Sequence, residues 1–138
     1  MKKILFTILI ATILFASCTT RIKRPIDLDF TDIGKVEQEL IELVVSGDIN
    51  VRGREITTNR KMITFELEII ITNGQDVPTN EDERKAFAKS IARVVRQNLQ
   101  DENKFEIYRV RFETRSESNM GHTSRHTTYT FNLTELEV

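Results

Sequence analysis

Apolar residues recur at steps of three and four in two stretches of the chain, which is the spacing of one face of an α-helix. In the first stretch, Thr31 or Asp32 is suited to the N-cap and Gly47 to the C-terminal stop. Glutamates occupy most of the opposite face. The apolar positions of this first predicted helix are Ile33, Val36, Leu40, Leu43 and Val44.

The second stretch predicts a longer helix that begins after Thr79 or Asn80. Three acidic residues fall in its first turn, and Arg93 and Arg96 lie toward its end, an arrangement that suits the helix dipole. Its apolar stripe consists of Phe87, Ile91, Val94, Val95 and Leu99.

Four further stretches alternate apolar and polar residues with a period of two, which is typical of strands with one buried face. They cover residues 49–58, 62–72, 104–114 and 125–137, and the pattern of the first is weak because residues 52–55 interrupt it. In the third, the apolar phase shifts near Ile107 and Tyr108, which predicts a β-bulge. The segment around Asn119 and Gly121 predicts a hairpin connection between the last two strands.

The predicted order is therefore helix, strand, strand, helix, strand, strand, within one domain over residues 31–138. It consists of two αββ units, at about residues 31–73 and 80–137. Because each helix and each strand has one apolar face, the pattern predicts an α+β two-layer sandwich. We expect a four-stranded antiparallel sheet with both helices on one face.

The N-terminus has a different character. Lys2 and Lys3 precede an apolar run of about a dozen residues, which is typical of a secretory signal peptide and short for a membrane span. The segment Leu14-Phe15-Ala16-Ser17-Cys18 resembles the lipobox of bacterial lipoproteins, although Phe15 stands where an aliphatic residue is commoner. The alternatives are a plain signal peptide with an incidental cysteine, or an uncleaved membrane helix.

The lipoprotein resemblance implies that residues 1–17 are removed and that Cys18 becomes a lipid-modified, palmitate-bearing N-terminus. Residues 18–30 then form the lipid anchor and tether, and the protein lies in the bacterial cell envelope. Thr19 follows the cysteine where an aspartate would suggest inner-membrane retention in enterobacteria, which favours the outer membrane. Cys18 is the only cysteine, so an intramolecular disulfide is excluded.

Charge narrows the choice of partner. Without residues 1–17 the chain has 18 Lys and Arg against 21 Asp and Glu, and from Pro25 onward the balance is −6. A mildly acidic domain is a poor nucleic-acid binder, because phosphate-backbone binding needs dense positive charge. Arg21, Lys23 and Arg24, beside the anchor, either contact anionic lipid headgroups or lie in a solvated linker.

Candidate catalytic chemistry is sparse. His122 and His126 lie four residues apart, and side chains at that spacing on one strand are some 13 Å apart. Glu113 or Glu117 could add a carboxylate if His122 lies in the turn, but a zinc site takes three or four ligands. Nothing predicts a cofactor or metal, and no serine has the glycine pattern of a nucleophile elbow.

The solvent-facing positions of the predicted sheet form a polar platform. Cross-strand pairs of glutamate and arginine would stabilise such a face, and threonines commonly fill strands. The functional interpretation is a flat surface for a partner protein or a glycan. Its residues are Thr64, Glu66, Glu68, Arg109, Arg111, His126, Thr128 and Thr130, extended by Glu113, Asn132 and Thr134.

These features favour an envelope lipoprotein whose small domain binds or scaffolds another envelope component without catalysis. The first alternative is an envelope hydrolase or metal-dependent enzyme that uses the His122/His126 hairpin. The second is a self-associating structural lipoprotein that pairs edge strands such as residues 49–58 between copies.

Overall fold

The computed structural model of the chain describes residues 21–45, 47–59, 62–119 and 121–137. The predicted signal peptide and the lipidation site Cys18 lie outside these residues. The described elements are, in chain order, β1 (Arg21–Ile26), α1 (Ile33–Leu43), β2 (Asp48–Thr58), β3 (Ile63–Thr72), α2 (Glu81–Gln97), β4 (Ile107–Ser118), β5 (Gly121–Asn132) and α3 (Leu133–Leu136).

The strands form one mixed sheet in the order β1-β2-β3-β4-β5. Neighbouring strands are antiparallel except β3 and β4, which run parallel. The expected four-stranded antiparallel sheet with two helices is therefore wrong. The 17-residue helix α2 follows β3 and is about 25 Å long, so it returns the chain to the opposite end of the sheet before β4 begins. A crossover of this kind connects parallel strands.

The fifth strand comes from residues that the sequence assigned to the tether. Arg21–Ile26 forms β1 and pairs with the second half of β2. Four of its six residues are charged or proline, which concealed a strand that lies at the sheet edge. Pro25 is compatible with such an edge, where one side of the strand needs no partner. Because β1 pairs with residues 53–58, this half of β2 is not the free edge that the self-association hypothesis used.

The third and fourth predicted strands begin and end elsewhere. The pairing of β4 with β5 is continuous from Ile107 to Ser118, so the expected β-bulge is absent from it. The apolar phase shift has another cause, since Phe105 precedes the strand and is buried in the core from the connecting segment. The expected last strand continues only to Asn132, after which the chain forms α3.

The two long helices begin where the sequence predicts. Asp32 caps α1 by accepting a hydrogen bond from the backbone N–H of Lys35 at 3.1 Å. Asn80 caps α2 and accepts from the N–H groups of Asp82 and Glu83. Each cap satisfies donors that a helix start leaves without partners.

All three helices contribute their buried residues to one core on one face of the sheet. The sheet contributes Leu67, Ile69 and Ile71 from β3, with Tyr108, Val110 and Phe112 from β4. No described helix is long and apolar enough to cross a membrane. The opposite face of the sheet carries the polar residues, and the buried residues of the described helices do not pack against it.

Candidate binding surface

The eight predicted platform residues lie together on the helix-free face. On β3 they alternate with the core residues, and the register places them beside one another across three strands. Arg109 pairs with Thr130, Arg111 with Thr128, and Glu113 with His126. Of the further positions, Asn132 ends β5, but Thr134 lies in α3 and is not part of the strand.

The glutamates of this face are buried, contrary to the expectation of a solvated strand face. Glu66 is only 1% exposed, and Glu68 and Glu113 are also buried. Because no described helix covers this face, the cover must come from side chains of the sheet itself. Five arginines provide it, and with the three glutamates they define what we call the arginine–glutamate face. Its members are Arg52, Arg54, Arg109, Arg111 and Arg115 with Glu66, Glu68 and Glu113.

Glu66 lies at the centre of the sheet between two arginines. Nε of Arg109 is 2.9 Å from one carboxylate oxygen, and Nη1 of Arg54 is 3.9 Å from the other. Neither oxygen of Glu66 accepts a well-aligned hydrogen bond from the described residues. Charge attraction, and not hydrogen-bond geometry, therefore compensates most of its desolvation.

Glu68 is held more tightly. One of its oxygens accepts from Nε of Arg52 at 2.7 Å and from Nη2 of Arg54 at 2.5 Å. Arg111 approaches the other oxygen at 3.9 Å. Arg54 therefore contacts both Glu66 and Glu68, which joins two carboxylates of β3 through one guanidinium of β2.

Glu113 extends the network along β4. It accepts hydrogen bonds from Arg115 at 2.9 Å, from Ser124 at 2.9 Å and from Arg111 at 3.1 Å. The hydrogen bond from Arg115, followed by that from Ser124, lowers the pKa of the Glu113 carboxyl to about 2. Glu113 in turn raises the pKa of Arg115. The pair is charged throughout the physiological range.

This pKa predicts an acid dependence of stability. A carboxyl whose pKa is lower in the folded than in the unfolded chain stabilises the folded chain at pH values above its ordinary pKa. That stabilisation is lost as the pH falls toward the lowered pKa of the folded chain. We expect the melting temperature of Glu113→Gln to depend less on pH than that of the wild type between about pH 5 and pH 2. Glu117→Gln, on the same strand but exposed, should keep the wild-type slope. Parallel slopes for Glu113→Gln and the wild type would contradict this assignment.

Sequence reasoning missed Arg52, Arg54 and Arg115. In the sequence, the two arginines of β2 interrupt the apolar pattern of residues 49–58. They are in fact the polar half of a period-two alternation, since Arg52 pairs with Glu68 and Arg54 with Glu66. The signal was available as two arginines spaced like the two glutamates, but it requires the register between β2 and β3 to be known.

The histidine hairpin has the geometry of a solvated surface. His122 and His126 both lie on β5 and are exposed. Nδ1 of His122 is 3.6 Å from a carboxylate oxygen of Glu117, and both side chains are more than four-fifths exposed. No group of three or more His, Cys, Asp or Glu within the described residues could hold a metal ion.

Three cavities indent the surface, and the third includes the predicted platform residue His126 in its lining. One of about 410 Å³ lies between α1 and β2, and two of about 420 and 460 Å³ lie near residues 99–105 and 74–79. None of these three is lined by a member of the arginine–glutamate face. Small-molecule sites are usually concave, and these three concave regions are separate from the arginine–glutamate face.

Comparison with protein-family models, with curated proteins and with solved structures found no match to the chain. The function must therefore be argued from the surface described above.

Proposed function

We propose that this protein is a lipid-anchored component of the bacterial cell envelope, held by Cys18, whose domain binds an acidic partner protein through the arginine–glutamate face without catalysis. The observation that carries the binding proposal is the charge of that face. Five arginines meet three glutamates, an excess of two positive charges on a chain whose net charge without residues 1–17 is 18 − 21 = −3. The network formed by these eight residues is therefore positive, although the chain as a whole is acidic.

The arginines are positioned for recognition as well as for pairing. Each lies within ion-pair distance of a carboxylate of the sheet, while Arg52 and Arg115 are 44% and 62% exposed. A guanidinium presents five donors in a planar fork, so one that contacts a buried carboxylate keeps donors for an external one. Binding to a preorganised side chain costs less conformational entropy.

The spacing favours an extended acidic polypeptide over other anions. Arg109 and Arg111 lie two residues apart on one strand, so their side chains repeat at about 6.7 Å. An extended peptide presents same-face side chains at the same interval. The partner in this proposal is an envelope protein with an acidic segment, and an anionic glycan is the competing outcome.

The test uses the full-length protein and immobilised poly-glutamate, with polygalacturonate as the glycan probe. Arg52→Gln/Arg115→Gln should weaken binding to poly-glutamate about tenfold, equal to about 1.4 kcal/mol, and should reduce its salt dependence. The fold should persist, because Glu68 keeps Arg54 and Glu113 keeps Arg111 and Ser124.

The matched control is Lys35→Gln/Lys85→Gln, which removes the same charge from α1 and α2 on the other side of the sheet. Equal weakening by both double variants would show that net charge and not this face is responsible. Retention on polygalacturonate alone would reassign the partner to a glycan. In cells, crosslinking from membranes should then recover a protein partner with the control variant and lose it with the arginine variant.

A further inference from the structure

Three large apolar side chains are exposed at one end of the sheet. Ile22 on β1, Met62 before β3 and Ile63 at the start of β3 are each more than half exposed. We call these three residues the apolar tip. Exposed apolar side chains are unremarkable singly, but a cluster of them marks an interaction surface.

The register brings the members of the apolar tip together. Ile22 and Ile63 are both opposite Thr57, one on each side of β2. Strands lie about 4.8 Å apart, so the two isoleucines are about 10 Å apart in one cross-strand row. The backbone N–H of Thr58 donates to the carbonyl of Met62 at 3.1 Å, which places Met62 beside that row.

Basic side chains surround the apolar tip. Arg21, Lys23 and Arg24 are exposed on β1, on both faces of the sheet. Within residues 21–26, 55–59 and 62–65, which form this end of the three strands, Glu55 opposite Arg24 is the single acidic residue. The end therefore combines an apolar centre with a net positive rim, the arrangement by which peripheral segments attach to anionic lipid.

The chain length fixes what lies nearby. Cys18 precedes Arg21 by three residues, and three residues span at most about 10 Å. If Cys18 bears the lipid, the first residue of β1 lies within about 10 Å of the membrane surface. An apolar tip at the far end of the domain would not meet the bilayer, whereas this one must lie close to it.

We propose that the apolar tip docks into the headgroup region of an anionic bilayer and orients the domain on the membrane. The inference rests on the proposed anchor at Cys18. The position of the tether and the positive rim both indicate an anionic bilayer as the partner of the apolar tip. The exposed apolar residues of α1, Ile33 and Ile41, instead line a cavity together with the acidic residues Glu37 and Asp48.

The chain contains no tryptophan, so the fluorescence of a single introduced tryptophan reports on its own position. Full-length Ile63→Trp and Ile41→Trp proteins are expressed with their lipid, purified from membranes and reconstituted in vesicles of phosphatidylcholine with phosphatidylglycerol. The two positions are similarly exposed, at 53% and 64%, so they form a matched pair. Tryptophan emission, acrylamide quenching and quenching by brominated lipid are measured for each.

We expect Ile63→Trp to show blue-shifted emission, protection from acrylamide and quenching by brominated lipid, because tryptophan partitions into the interface. Ile41→Trp should remain solvent-accessible. Adding Lys23→Gln to Ile63→Trp should lower the docked-to-undocked ratio about fivefold in anionic vesicles and leave it unchanged in phosphatidylcholine alone. Met62→Trp repeats the measurement at a second position, and a circular dichroism melt confirms that each variant is folded.

Equal acrylamide quenching of the Ile63→Trp and Ile41→Trp proteins would overturn the inference, as would membrane contact at Ile41→Trp alone. Failure of the anchor is recognised separately, since mass spectrometry of the N-terminal peptide would then show no acyl chains on Cys18 and the protein would not float with vesicles. Failure of partner binding is independent, because no poly-glutamate is present in this assay.

Discussion

Replacing Glu66 by glutamine is expected to lower the free energy of unfolding by about 2–4 kcal/mol. The substitution keeps the size of the side chain and removes its negative charge. The positive charges of the Arg54 and Arg109 guanidinium groups are then less well compensated next to a buried side chain. Breaking a fully buried pair costs about 3–5 kcal/mol, and the estimate is lower here because Arg109 is 36% exposed and stays partly hydrated.

Urea unfolding at neutral pH measures the effect. Glu117→Gln is the matched control, because Glu117 is a glutamate of the same sheet that is 84% exposed, and its loss should change stability by no more than about 0.5 kcal/mol. A double-mutant cycle with Arg109→Gln should give a coupling energy of about 0.5–3 kcal/mol. If Glu66→Gln behaves like Glu117→Gln, the network does not support the fold as we describe it.

Comparing the Glu66→Gln result with the binding of the arginine variants separates structural from binding roles within the arginine–glutamate face. The three glutamates are buried and serve to hold the arginines, so their loss should reduce stability first. Arg52 and Arg115 lie at the more exposed positions, so their loss should reduce binding first. A network that is purely structural would show the first effect without the second.

Gly47→Ala is expected to destabilise the domain by about 3 kcal/mol or more. Gly47 lies between α1 and β2 with φ +118°, where a side chain is strained. A Cβ would also lie 2.7 Å from the carbonyl oxygen of Thr72 and 3.0 Å from the backbone nitrogen of Gly74. Both are backbone atoms, so relief requires the end of β3 to move.

Gly121→Ala separates the cost of backbone strain from the cost of steric crowding. Gly121 has a similar φ of +136°, but a Cβ there has no neighbouring atom within 4 Å. It should therefore cost only backbone strain, about 1–2 kcal/mol. The difference between the two variants in urea unfolding measures the crowding at Gly47, and equal losses would contradict it.

The candidate surface was partly visible in the chain. Alternation on β3 and β4 correctly placed Glu66, Glu68, Arg109 and Arg111 on the face away from the apolar residues. Alternation could not show that these glutamates are buried, because a period of two identifies a face without identifying what covers it. Cover by Arg54 depends on β2 lying beside β3 in one register, which is a long-range property.

Local interactions determined what the sequence could establish. Helix faces and caps such as Asp32 and Asn80 depend on residues within a few positions, so periodicity and side-chain type were sufficient. The tertiary structure alone decided that β3 and β4 run parallel, that residues 21–26 add a fifth strand, and that five arginines cover three glutamates. Strand pairing joins residues far apart in the chain, and its energy comes from packing and register that no short window contains.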